Sequence, residues 1–129
     1  MFITNTNHFP IVNISYQAED KQSLEDLFEK FNTLLEYKRK FVFISEGPMN
    51  KAESENDHES RKKVSLWVKN NRHILSEFVL ALIHIEPDAD QRAKLEQFST
   101  VYAQFSGYPL YVVSSQEQAD KLIHQLLNK

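Results

Sequence analysis

Three short, unbroken apolar runs constrain this chain most: Phe41–Ile44, Phe78–Ile85 and Leu110–Val113. A strand with one wet face alternates apolar and polar residues, whereas a strand buried on both faces does not need to. These runs therefore belong in the middle of a sheet with cover above and below. Between them lie stretches of helical period. That alternation predicts crossover connections and parallel pairing, because a parallel neighbour is reached only through a long connection. The longest run ends at Ile85 and contains His84, well short of the ~18 residues that span a bilayer. No membrane insertion is expected.

The helical stretches carry their own punctuation. Leu24, Leu27, Phe28, Phe31, Leu34 and Leu35 repeat at three and four residues, behind Ser23 as an N-cap with Asp26 three residues on. A second helix is predicted over about Glu59 to His73, with Val64, Trp67, Val68 and Asn71 on one stripe that Leu75 extends. Trp67 sits at core spacing and is expected against the sheet. Pro87-Asp88 opens a third helix with the stripe Leu95, Phe98, Tyr102 and Phe105, and Gly107 ends it. Ser115 and Gln118 start a fourth, whose face is Ala119, Leu122, Ile123, Leu126 and Leu127.

Ahead of these units, residues Ile11 to Tyr16 alternate, with Val12, Ile14 and Tyr16 on one side and Asn13 and Ser15 on the other. This reads as a half-exposed strand near an edge, with a shorter strand over Phe2-Ile3-Thr4 folded back on it. The expected fold is one α/β domain spanning residues 1–129. It has a mostly parallel sheet built of about four strand–helix units, helices on both faces and an extra N-terminal strand at an edge. Ser45 to Asp57, polar, acidic and broken by Gly47-Pro48, is expected to be a mobile loop.

Composition narrows function mainly by exclusion. Fifteen basic residues against 18 acidic ones give a net charge of −3, so there is no cationic excess for nucleic acid. There is no cysteine, which removes thiol chemistry and thiolate-bound zinc. The opening residues lack the blocks of a signal peptide, and a cytoplasmic location is expected. With only Gly47 and Gly107, neither a P-loop nor a dinucleotide fingerprint can be written, and G-x-S-x-G is absent. No cofactor is implied. Asp57, His58 and Glu59 are adjacent and form a poor chelating set.

The remaining candidates gather where strands end, the usual location of ligands in open parallel sheets. They are Ser45, Glu46, His84, Glu86, Asp88 and Ser114. His84 and Glu86 share one side of their strand by the period of two. With Asp88 they offer an imidazole and carboxylates for proton transfer. The plainer account gives Asp88 and Ser115 to helix caps and Glu86 to a solvated strand end. Tyr102, Phe105, Tyr108 and Tyr111 make an aromatic end suited to core, to an apolar ligand or to a homodimer surface.

The stretch Arg61 to Leu75 with Trp67 and Asn71, then the strand Phe78–Ile85, a helix containing Arg92 and the strand Leu110–Val113 together resemble the STAS-like domains. These are the fold of anti-sigma-factor antagonists, and the likeness is closest to small stand-alone bacterial members. The resemblance implies a binding or regulatory module without its own catalytic activity, engaging a protein partner or a small ligand. Antagonists of that family carry a phosphorylatable serine in an Asp-Ser-x-Gly-like turn before the second helix. Here the region reads Asp57-His58-Glu59-Ser60-Arg61, without the glycine. Two functions thus stand side by side: a binding module, and a small enzyme using His84, Glu86 and Asp88.

Overall fold

The computed structural model describes residues 2–16, 23–47 and 58–128. Two strands open the chain, β1 (Phe2–Asn5) and β2 (Ile11–Ser15). Helix α1 (Leu24–Glu36) and strand β3 (Phe41–Glu46) come next, then α2 (His58–Phe78) and β4 (Val79–Ile85). The last elements are α3 (Ala89–Ser106), β5 (Leu110–Val113) and α4 (Gln116–Leu127). The expected mixed α/β order is present, with shifted bounds. Ser76 and Glu77 do not break α2, which runs on to Phe78, so β4 begins one residue later than its apolar run. Ser45 and Glu46 complete β3 rather than opening a loop, and the rest of the loop expected over 45–57 lies outside the described residues except for Gly47.

The five strands lie in the order β1-β2-β3-β4-β5, with β1 antiparallel to β2 and every later pair parallel. The strand order never reverses. Right-handed crossovers that always step the same way leave their helices on the same side, and α1, α2 and α3 all pack on one face. There Leu27, Phe31, Leu34, Leu75, Leu95 and Tyr102 meet Val12, Ile14, Phe41, Phe43 and Leu82. Among the described residues only α4, which comes after the last strand, covers the other face, placing Ala119 and Ile123 on Val42, Ile44, Ala81, Ile83 and Ile85. Helices do occupy both faces, but three against one. The cleft that forms where strand order reverses in doubly wound sheets has no counterpart in this topology.

The caps match the sequence. Ser23 accepts from the Asp26 amide, Asp88 from those of Asp90 and Gln91, and Ser115 from that of Gln118. Gly107 closes α3 in the left-handed region at φ 92°, where an added Cβ would sit 3.0 Å from the Arg72 side chain and 3.1 Å from its carbonyl. Glycine is required there both by conformation and by the approach of α2.

Two aromatic expectations need correction. Trp67 is half-buried and packs sideways against α1, stacked on Phe28 (centroids 5.4 Å apart, planes within 7°) and tilted on Phe31. The sheet side of α2 is taken by Leu75. On α3, Phe98 and Phe105 remain 38% and 46% exposed. The side that turns inward runs through Leu95, Tyr102 and Ser106, so the two phenylalanines lie off the contact line.

Candidate functional site

Parallel strands leave all their carboxyl ends on one side, and the four helices of the described residues start there. The register makes Ser45 and His84 direct neighbours on β3 and β4. By the period of two, both point to the three-helix face, as do Glu86 and Ser114 further along. Glu46 points to the opposite face and is exposed.

Ser45 and His84 are joined by a hydrogen bond of 2.7 Å between Ser45 Oγ and His84 Nδ1. Both are buried, His84 completely at 0% exposed. Loss of water around the ring holds its pKa below the ordinary 6.5, against smaller opposing effects from Glu86, the Gly47 backbone and Glu46. The imidazole is therefore neutral at pH 7. If Ser45 donates to Nδ1, the proton sits on Nε2. That Nε2 is buried and has no hydrogen-bond partner among the described residues. An unsatisfied buried polar atom is costly, and this one lies at the end of β4, two residues before the strand leaves the sheet.

Glu86, Asp88 and the Ser114 main chain are engaged in the turns that follow the strands. Glu86 Oε1 accepts from the Asp88 amide at 3.1 Å. Asp88 Oδ1 accepts from Asp90 N (2.9 Å) and Gln91 N (3.5 Å), which makes it the cap of α3. Arg92 reaches back and donates through Nη1 to the carbonyls of Glu86 (2.9 Å) and Pro87 (2.7 Å), fixing the turn. The Ser114 amide donates to Gln118 Oε1 at 2.8 Å. The structure thus brings Ser45 and His84 together, sets Glu86 near them electrostatically, and commits Asp88 to a helix start. Among the described residues, no three side chains of metal-binding type converge, and no helix is long and apolar enough to cross a membrane.

A second buried polar cluster went unread in the sequence. The hydroxyls of Tyr102 and Tyr108 lie 2.9 Å apart. Burial raises the Tyr102 pKa well above 10, and the neighbouring Tyr108 and Tyr16 push it further up. Burial also raises Tyr108 to about 12, although its bond to Tyr102 opposes this. Ser106 Oγ bridges the carbonyls of Tyr102 (2.8 Å) and Tyr108 (2.9 Å). This cluster stitches the end of α3 to the start of β5. The only signal for it was the spacing of tyrosines around Gly107, which serves a greasy pocket equally well.

No family model matches the chain, and comparison with curated proteins and with solved structures finds no match.

Proposed function

We propose that this chain is a non-enzymatic binding or regulatory module of STAS-like type, which takes a protein partner or a small ligand at the carboxyl rim of its sheet. One observation carries the reading. Glu86 and Asp88 each give one carboxylate oxygen to main-chain amides, Asp88 Oδ1 to two of its own helix and Glu86 Oε1 to the Asp88 amide, so both serve the turn that opens α3. What the rim has to spare is the Nε2 of a neutral His84, a setting that favours a hydrogen-bond acceptor such as a carbonyl or an anion.

The enzyme reading keeps one observation in its favour. A serine hydroxyl 2.7 Å from an imidazole nitrogen is the spacing of a nucleophile and its base. The burial of both groups opposes it, since a substrate must reach the oxygen.

A thermal-shift screen of phosphate, sulfate, short carboxylates and mononucleotides separates the two, because whatever binds only the native state raises its melting temperature. The binding reading expects at least one stabilising compound that is recovered unchanged after long incubation. Consumption of such a compound by the wild type but not by His84→Gln would replace it with the enzyme reading.

A further inference from the structure

The free edge of the sheet offers a different chemistry, independent of whether the rim binds anything. Among the described residues β5 pairs only with β4. In a parallel pair each residue turns both main-chain groups to the same side, and successive residues alternate. The Leu82 amide donates to Pro109 O (2.9 Å) and the Glu86 amide to Val113 O (2.8 Å). Residues 109, 111 and 113 therefore face β4, while Leu110 and Val112 turn N–H and C=O outward. The row has defined ends. At one end the Tyr108 amide and carbonyl are both taken by Ser106 Oγ, and at the other the Ser114 amide is taken by Gln118 Oε1.

Along this edge runs a groove of about 640 Å³, bounded by β5, by Glu96, Ser99, Thr100 and Ala103 of α3, and by Leu122 of α4. The α3 wall is mostly small side chains, which leaves room beside the strand. Tyr111, 39% exposed, is turned to the α4 side. Glu96 is the one charged residue of the lining.

We propose that the β5 edge is a strand-addition site for an extended, apolar and basic peptide segment of a partner protein. Main-chain donors and acceptors in alternation are matched best by another extended main chain. The apolar and small lining suits alternating apolar side chains, and Glu96 selects a lysine or arginine among them. A single strand reaches the 4.7–4.9 Å pairing distance between the flanking helices.

The test uses the full chain, amide hydrogen exchange read by NMR, and a library of acetylated hexapeptides alternating valine or isoleucine with threonine, each with one lysine. Binding members should slow exchange at Leu110 and Val112. Methylating the peptide nitrogens that face β5 should weaken binding by about tenfold or more, the worth of one or two hydrogen bonds. Replacing the lysine by glutamate should weaken it as well. Thr100→Arg, on the exposed surface of α3, should fill the groove and abolish binding while leaving the fold intact. Three results would each overturn the proposal: a library with no member that protects those two amides, equal binding of the methylated peptides, or protection without peptide at the mass of a dimer, which would make the occupant a second copy.

Discussion

The two faces of the sheet are made of different materials. Under α1, α2 and α3 the strands present rings, with Phe41, Phe43 and Phe31 meeting edge-on at centroid separations of 5.3 and 5.6 Å. The same face holds buried polar groups, namely Ser45, His84, Ser106 and Tyr108. Under α4 the buried side chains are Val42, Ile44, Ala81, Ile83 and Ile85, with Ala119 and Ile123 above them, all aliphatic. The polar groups of the aromatic face pair with one another, Ser45 with His84 and Tyr102 with Tyr108, while α4 brings alanine and aliphatic side chains to the other face.

That contrast can be broken most directly by deletion. Phe43→Ala should destabilise by about 3–5 kcal/mol, because the ring is fully buried and touches Phe31, Phe41 and Tyr108. Ile83→Val, equally buried on the aliphatic face, should cost only about 1 kcal/mol. Urea midpoints compare the two, and a Phe43→Ala loss no larger than that of Ile83→Val would show that the ring does not fill the aromatic face as described.

Trp67 sharpens the point at the margin of the aromatic face. It is half-buried between α1 and α2, so Trp67→Ala should cost about 2 kcal/mol, less than the loss of a fully buried core aromatic. A loss near that of Phe43→Ala would place the indole deeper than it lies here.

The third test is of pH. His84 has its pKa lowered by burial, so below about 6.5 the unfolded chain takes up a proton that the folded chain resists. Its contribution to stability is fully present above pH 6.5 and is lost as pH falls towards the folded value, at no more than about 1.4 kcal/mol per pH unit. His84→Gln should flatten that part of the curve. An unchanged slope in the variant would show that His84 is solvated or charged in the fold. The tyrosine pair gives the opposite sign. Tyr102 and Tyr108 are held neutral, so stability should fall as pH rises above about 10.

The smallest effect lies at the rim. Asp88→Ala should cost about 1 kcal/mol as a lost helix cap. Glu86→Gln keeps an oxygen for the Asp88 amide and should be near neutral in thermal melts. If Glu86→Gln instead proved the more damaging, its charge rather than its hydrogen bond would be shaping the rim.

The sequence by itself determined the elements and their caps. Periodicity and terminal hydrogen bonding are local, so Ser23, Asp88, Gly107 and Ser115 could be read as boundaries without knowing what lay across the sheet. It also held the two faces in plain view, since Phe41-Val42-Phe43-Ile44-Ser45 alternates ring, aliphatic, ring, aliphatic, hydroxyl. An apolar run looks uniform until something says which side is up. Strand order decided that. With no reversal, three crossovers fell on one face and left α4 alone on the other, which no window of sequence reports. The same holds for the candidate site. Ser45 and His84 were separately legible as strand-end residues, but they are 39 positions apart, and only the parallel register of β3 on β4 makes them neighbours. Trp67, Phe98 and Phe105 were misplaced for a related reason. Helical spacing gives the angle between side chains, but the direction in which the stripe faces is set by the neighbours that helix packing supplies.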